Sequence, residues 1–222
     1  MYNFTFNIPT KIHFGKDTIS NLSELKAYGS KVLLVYGGGS IKKNGLYDTA
    51  MKILKDAGLT VFELSGVEPN PKIETVRKGV EICKNEGIDM VLAIGGGSTI
   101  DCSKVVAAGA KYDGDAWDLV LDGSKVKAAL PIFDVLTLSA TGTEMDPFAV
   151  ISDMSKNEKW GTGSPYMVPT MSILNPEYTF SVSKKTDCSR NRRYDEPYNG
   201  ELFFLWRMLT ARNLWRRDCY VQ

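Results

Sequence analysis

The stretch DMVLAIGGGSTID, residues 89–101, decides the fold of this chain. Its apolar run at 90–94 is rich in Val and Ile and predicts a buried strand, which the three glycines at 95–97 end. Residues 98–110 have a helical composition, and Ser98 stands where it can cap the helix and donate to a phosphate oxygen. This order predicts an anion cradle, since glycines let the backbone approach closely and a helix start has unpaired N–H groups. A plain β–α turn is the alternative.

A glycine turn also occurs earlier in the chain, in KVLLVYGGGS, residues 31–40. We call residues 37–40 the first turn and residues 95–98 the second turn. In parallel sheets ligands lie outside the carboxyl ends of the strands, so two such turns predict one extended ligand, a dinucleotide. We assign residues 95–98 to the pyrophosphate and residues 37–40 to the adenosine ribose. The first turn has no carboxylate and is followed by Lys42 and Lys43, which favours NADP(H), with NAD(H) as the alternative. The two lysines alone are equally typical of a solvated helix start.

Strands and helices alternate along the first half with short links, which predicts a doubly wound parallel α/β sheet. The predicted strands are 3–14 (a hairpin around Pro9), 32–36, 60–64, 90–94 and 132–138, and the predicted helices are 17–28, 46–57, 73–85 and 98–110. Residues 111–127 are polar and predict turns, with Trp117 at the surface. Residues 148–174 predict a further group of strands, and Pro176 suits a first helical position.

The composition is that of a soluble globular protein, with 43% hydrophobic and 24% charged residues in 222. The net charge of +1 gives no reason to expect nucleic acid or a membrane as partner. The N-terminus lacks the layout of a signal peptide, so a cytoplasmic location is expected. The four cysteines have no metal-ligand spacing, and there is a single histidine, His13.

Several stretches together resemble the iron-dependent (group III) alcohol dehydrogenases, in their NADPH-using butanol dehydrogenase branch. They are PTKIHFG (9–15), YGGGSIKKNG (36–45), EPNP (68–71), IGGGSTID (94–101), LTLSATGTEM (136–145) and SILNPEYTF (172–180). The resemblance covers about residues 1–185. It implies a Rossmann-like, dehydroquinate-synthase-like domain. It also implies a helical domain that holds Fe²⁺ or Zn²⁺ through one Asp and three His.

The implied activity is hydride transfer between nicotinamide C4 and a small alcohol or aldehyde, with the metal as Lewis acid, in a homodimer. The glycine turns and the resemblance give a set of candidate cofactor-binding residues: Gly38, Gly39, Ser40, Gly95, Gly96, Gly97, Ser98, Asp101, Thr137, Ser139, Thr141 and Lys159. Asp101 is implied to lie near the nicotinamide, and Lys159 to reach a ribose hydroxyl. Purely structural roles are the alternatives: a first-turn carboxylate for Asp101, a strand residue for Thr137 and a turn charge for Lys159.

The chain departs from this family after residue 185. The helical metal domain is missing, and its histidines cannot come from His13, which we interpret as an ordinary strand residue. Residues 1–185 contain nineteen Lys and one Arg, whereas residues 186–222 contain seven Arg and no Lys. We therefore predict a dinucleotide-binding domain at 1–185 and a non-native tail at 186–222, in a chain that is inactive as written.

A reading-frame slip near codon 185 or 186 explains this tail. One back-translation of residues 186–204, read from its second base, encodes QTAAGTADMMSHTMENYF. This hidden peptide has an Asp and a His four apart, where the chain has Arg193 and Pro197. Two residues at this spacing share one face of a helix and suit a metal. An authentic basic tail is the alternative.

Two other functions stay open at this point. The chain is alternatively a non-catalytic NADP-binding fragment, or a relative of glycerol dehydrogenase or dehydroquinate synthase. The LTLSATGTEM stretch at 136–145 and the Gly-Gly-Gly-Ser turn at 37–40 favour the alcohol dehydrogenase branch.

Overall fold

A computed structural model describes residues 7–180 of the chain. The strands are β1 Lys11–Phe14, β2 Lys31–Tyr36, β3 Thr60–Leu64, β4 Met90–Gly95, β5 Ile132–Leu136, β6 Phe148–Asp153, β7 Glu158–Gly163 and β8 Met171–Leu174. The α-helices are α1 Ser40–Lys43, α2 Leu46–Asp56, α3 Ile73–Glu86, α4 Gly97–Gly109 and α5 Ala116–Leu121. Four 3₁₀ helices are Thr18–Tyr28, Gly123–Lys125, Pro165–Met167 and Pro176–Thr179. One compact unit ends at Asn175, and of the unit that begins at Pro176 only the last 3₁₀ turn is described.

Six strands form one parallel sheet in the order β1-β8-β5-β4-β2-β3. Strands β4 and β5 lie at its centre, and every residue in both is buried. Parallel strands with helices on both faces need continuous apolar sequence, and the run at 90–94 meets that need. The predicted α/β parallel sheet with flanking helices is therefore confirmed.

Helices α3 and α4 pack closely because each supplies a glycine at the contact. A Cβ atom on Gly79 would lie 2.7 Å from Cγ2 of Val106, and one on Gly109 would lie 2.6 Å from Cγ2 of Val80. A methyl group at either position would force the two helices apart. The close approach buries almost all of α4, the helix whose first turn lies at the carboxyl edge of the sheet.

Strands β6 and β7 form an antiparallel hairpin outside the main sheet, with Asp153 paired with Glu158 beside the turn. The strands predicted within residues 148–174 are present as β6, β7 and β8, but they do not belong to one sheet. Strand β8 returns to the main sheet between β1 and β5. Strand β1 is an edge strand, and residues 1–6 of the predicted hairpin lie outside the described residues.

Two local predictions are wrong. Residues 111–127 include helix α5, and Trp117 is only 4% exposed, so it is a core residue and no surface anchor. Asp115 begins α5 by accepting from the Trp117 N–H at 2.7 Å, and its ion pair with Arg77 ties α5 to α3. The helix predicted at 17–28 is a 3₁₀ helix, Thr18–Tyr28, and Asp17 before it has φ +61° and makes no side-chain cap.

Within residues 7–180, no helix is both long enough and apolar enough to cross a membrane.

Candidate functional site

The two glycine turns lie side by side at one edge of the sheet. Strands β2 and β4 are hydrogen-bonded neighbours, with Tyr36 opposite Ile94, so both turns follow at the same level. Strand β5 ends there as well, since the Thr137 N–H donates to the Gly95 carbonyl at 2.9 Å. The fold therefore brings together three segments that lie about 55 and about 40 residues apart in the sequence. Ten of the twelve candidate residues belong to them: Gly38, Gly39, Ser40, Gly95, Gly96, Gly97, Ser98, Thr137, Ser139 and Thr141.

Packing within the protein explains two of the three glycines in the second turn. A Cβ atom on Gly95 would lie 2.5 Å from the Thr99 hydroxyl oxygen, and one on Gly96 would lie 3.1 Å from Cβ of Leu138. At Gly97 the nearest atoms would be 3.7 Å and 3.8 Å away, on Thr143 and Thr141, which is ordinary contact. The protein alone would therefore accept alanine at 97, the first residue of α4. Absence of a side chain there leaves room between the turn and the 137–146 loop.

The first turn has open surroundings and one obligatory glycine. Gly39 has φ +97°, in the left-handed region that favours glycine. A Cβ atom on Gly38 would meet no atom within 4 Å. Gly38 and Ser40 are exposed, so their polar groups are accessible at the edge.

Ser98 does not cap helix α4, contrary to the prediction. Gly96 occupies the N-cap position of α4, and no side chain caps the helix. The Ser98 hydroxyl instead accepts from the Asn70 N–H at 3.3 Å, and the Asn70 side-chain oxygen accepts from Lys159 Nζ at 2.7 Å. Asn70 has φ +57°, a conformation that asparagine tolerates better than most residues. It links the second turn to the hairpin.

Asn70 was missed as a site residue by sequence reasoning, although it lies in the quoted EPNP stretch. The signal was an asparagine between two prolines, where the backbone is tightly restricted. Lys159, the eleventh candidate, is linked to the edge through this contact with Asn70.

Asp101, the twelfth candidate, binds protein groups with both carboxylate oxygens. Oδ1 accepts from the Thr143 hydroxyl at 2.7 Å, and Oδ2 accepts from the Val150 N–H at 3.1 Å. Burial raises the pKa of Asp101, and these two hydrogen bonds oppose the increase. In this structure the carboxylate joins α4 to the 137–146 loop and to the hairpin.

Lys104 organises the same loop and was missed by sequence reasoning. Its side chain is fully buried, and Nζ donates to both the carbonyl and the carboxylate of Asp146, at 2.7 Å and 2.8 Å. It also contacts the Phe148 carbonyl at 2.8 Å and the Thr143 hydroxyl at 3.0 Å. Lysine is usually exposed, so a single Lys in an apolar helix gives no sign of this burial.

A buried carboxyl group, that of Asp134, is linked by hydrogen bonds to the 137–146 loop. Asp134 on β5 is 1% exposed, and its Oδ2 lies 2.7 Å from the Ser172 hydroxyl, which is also 2.7 Å from the Glu144 carbonyl. One hydroxyl proton cannot serve both acceptors, so a protonated Asp134 donates to Ser172 and Ser172 donates to Glu144. This agrees with the pKa of Asp134, which burial raises well above its usual range with a contribution from the Glu144 carboxylate.

The fold also brings a carboxylate to the end of β2, where the local sequence has none. Glu63 on β3 accepts from the Tyr36 hydroxyl at 2.6 Å and from the Tyr47 hydroxyl at 2.8 Å. Lys42 Nζ lies 3.9 Å from the same carboxylate, and 5.0 Å and 4.4 Å from the centres of the two tyrosine rings. Lys42 therefore already has a carboxylate and two aromatic rings as partners within the protein.

The described residues do not fit a metal. Within residues 7–180, no group of three or more His, Cys, Asp or Glu side chains is arranged to hold one. His13 lies on β1 with Nε2 3.3 Å from Oε1 of Glu24, in agreement with an ordinary strand residue. The predicted tail at 186–222, with the positions of Arg193 and Pro197, lies outside the described residues.

This architecture, a parallel sheet with glycine turns at its carboxyl edge, is of the class that includes nucleotide-binding α/β domains. Comparison with known proteins narrows the class. The family model for iron-containing alcohol dehydrogenase matches residues 9–176. The chain belongs to the iron-containing alcohol dehydrogenase family, so the resemblance to this family is confirmed.

Individual relatives agree with this assignment. NADH-dependent butanol dehydrogenase A of Clostridium acetobutylicum is 60% identical over 185 residues, which are 83% of this chain and 48% of the relative. The NADPH-dependent aldehyde reductase of Escherichia coli is 40% identical over 82% of this chain and 47% of its own length. The crystal structure of NADH-dependent butanol dehydrogenase A from Thermotoga maritima superimposes with a TM-score of 0.82 at 48% identity, covering 86% of this chain and 48% of that one. The chain thus spans about half the length of the curated relatives it matches.

Proposed function

We propose that this chain is the dinucleotide-binding part of an NADP(H)-dependent alcohol dehydrogenase that also reduces aldehydes. The observation that carries the proposal is the juxtaposition of two glycine turns and the 137–146 loop at one sheet edge, with unfilled space at Gly97. The names of the relatives, butanol dehydrogenase and aldehyde reductase, favour a small alcohol or aldehyde as the substrate.

The second turn suits a pyrophosphate. Gly97 and Ser98 open α4, a helix of thirteen residues whose first N–H groups and positive dipole end attract an anion. Thr137, Ser139 and Thr141 follow β5 beside this turn and offer hydroxyl groups for the nicotinamide and its ribose. A bound dinucleotide would supply the hydride. The residues of this chain would bind it, orient it and limit the access of water.

The first turn suits a 2′-phosphate better than a bare 2′-hydroxyl. Gly38, Gly39 and Ser40 offer backbone donors and a hydroxyl with open space around them. A bare ribose normally meets a free carboxylate, and both oxygens of Glu63 already accept tyrosine hydroxyls. NAD(H) is the second candidate, because relatives at 57–60% identity are named NADH-dependent.

For the 222-residue chain itself we propose binding without turnover. The described residues include no metal-ligand cluster, and we derive no step through a metal from them. The tail at 186–222 remains a predicted shifted-frame product. This proposal is distinct from a glycerol dehydrogenase-like function, which the family match does not favour.

A binding experiment tests the proposal. NADPH fluorescence is titrated with the full chain and with Gly97→Ala, whose new methyl group the protein itself can accommodate. The methyl group should keep the phosphate from one charge-assisted contact, so Gly97→Ala should bind NADPH roughly tenfold more weakly than the parent. Its melting temperature should be unchanged. Gly161→Ala is the matched control, because its Cβ would lie 4.0 Å from its nearest neighbour on the hairpin, and it should bind as the parent does.

Three results would contradict the proposal. Absence of NADPH and NADH binding by the folded parent would refute the dinucleotide function. Equal binding by Gly97→Ala and the parent would refute the pyrophosphate assignment. Oxidation of NADPH on addition of butyraldehyde, above a chelator-treated control, would refute the absence of turnover.

A further inference from the structure

The cluster at the end of β2 bears on cofactor choice, and the inference drawn here rests on the proposed function. Tyr36 is the last residue of β2 and is 3% exposed, and its ring meets that of Tyr47 edge-on at 5.7 Å. Their hydroxyls donate to opposite oxygens of Glu63, which fixes the carboxylate. Lys42 lies over both rings and beside Glu63.

Charge and location make this cluster relevant to the first turn. The Tyr36 and Tyr47 hydroxyls and Lys42 lower the pKa of Glu63, so Glu63 is ionised at neutral pH. Lys42 comes two residues after Ser40 in the same short helix, which begins directly at the turn. The turn therefore has both a cation and an anion nearby, and the anion holds the cation.

We propose that Glu63 is a specificity-determining residue that limits the preference for NADPH over NADH by retaining Lys42 on Tyr36 and Tyr47. A 2′-phosphate at the first turn needs a cation, whereas a 2′-hydroxyl does not. While Lys42 is paired with Glu63, it contributes little to binding a phosphate, and the partly exposed Glu63 carboxylate opposes phosphate binding. A neutral side chain at position 63 would release Lys42 and would also remove the repulsion between the carboxylate and the phosphate.

Glu63→Gln keeps the shape of the side chain and an oxygen that can accept a tyrosine hydroxyl. We expect it to raise the NADPH to NADH affinity ratio roughly five- to tenfold, with NADH affinity changed less than about twofold. Affinities are measured by fluorescence titration at low ionic strength, because salt screens exposed charges. Glu24→Gln is the matched control: it also removes a half-exposed carboxylate paired with a lysine, Lys11, and should leave the ratio unchanged.

Lys42→Met supplies a second, independent test. In the parent it should change NADPH affinity less than about twofold, since Lys42 is already engaged with Glu63. Combined with Glu63→Gln, it should abolish most of the gain in the NADPH to NADH ratio. This non-additivity is expected only if Lys42 is the group that Glu63 restrains.

The outcomes separate this inference from the function beneath it. If the parent binds neither dinucleotide, the proposed function fails. If the parent binds a dinucleotide but Glu63→Gln leaves the ratio unchanged, or Lys42→Met alone weakens NADPH tenfold, only the inference about Glu63 is overturned. Should Glu63→Gln fail to fold, the Lys42→Met result still decides, because it tests directly whether Lys42 serves the phosphate.

Discussion

Replacement of Lys104 by methionine tests how the 137–146 loop is held. Methionine keeps most of the apolar stem of the side chain and removes only the ammonium group. The ammonium is fully buried and contacts four oxygens. One of the four is a carboxylate oxygen of Asp146, whose side chain is 31% exposed. Without the ammonium, two backbone carbonyls lose this donor, and the Asp146 carboxylate, which also accepts from the Phe148 N–H at 2.8 Å, loses its buried cation.

The expected loss follows from this geometry. Removal of one partner of a buried ion pair costs about 3–5 kcal/mol, because the remaining groups stay buried without compensation. The partial exposure of Asp146 lets its carboxylate regain water, so we expect a value near the lower end, about 3 kcal/mol. A typical domain has about 5–15 kcal/mol of stability, so the variant should still fold.

Urea unfolding followed by tryptophan fluorescence measures this loss as a shift in midpoint at constant slope. Lys84→Met is the control, since Lys84 donates to the Tyr112 carbonyl at 2.6 Å from an exposed position and should lose under about 1 kcal/mol. Hydrogen exchange should also rise at Val150, whose N–H binds Asp101. Equal, small losses for both lysine variants would refute the reasoning that the Lys104 ammonium organises the loop.

Two further predictions concern Asp134 and the tail. The folded-state pKa of Asp134 is raised, so its contribution to stability is fully present below its unfolded pKa near 4 and is lost as pH rises toward the folded pKa. The amide of Asp134→Asn can donate to Ser172 at any pH. Above pH 4 the free energy of unfolding of this variant should therefore rise relative to that of the parent by up to about 1.4 kcal/mol per pH unit. A difference in urea midpoints that does not change with pH would contradict a neutral Asp134. The coding DNA from codon 180 onward, read in all three frames, should continue as a helical, histidine-bearing sequence in the frame that starts at the second base of codon 186. A stop codon within the first few codons of that frame would show that the tail at 186–222 is authentic.

The main elements of the fold could be predicted from local sequence. An apolar run closed by glycines, as at 90–97, has few other solutions, because a strand buried on both faces must be apolar throughout and its turn must bend sharply. The same reasoning located both glycine turns, and the parallel alternation then required them to share one edge. The family resemblance rests on these local motifs and their order, which the structure leaves unchanged.

Local patterns were least informative for short helices and for turn chemistry. Trp117 was expected at the surface because its neighbours at 111–127 are polar, yet three-dimensional packing against α3 and α4 buries it. Ser98 is a residue type that often caps helices, but Gly96 occupies the N-cap position of α4, and the Ser98 hydroxyl accepts from the Asn70 N–H instead. The average preference of a residue type for a cap or for the surface is overridden by the particular partners that the tertiary structure places beside it.

Sequence by itself therefore determined the order of strands and helices, the position of the glycine turns and the family of this protein. Tertiary structure alone decided which polar groups meet. Glu63 reaches Tyr36 across 27 residues of chain, and Lys104 reaches Thr143 across 39. The physical reason is that hydrophobic periodicity records burial along one element, whereas a buried charge is stable only with partners that distant segments provide.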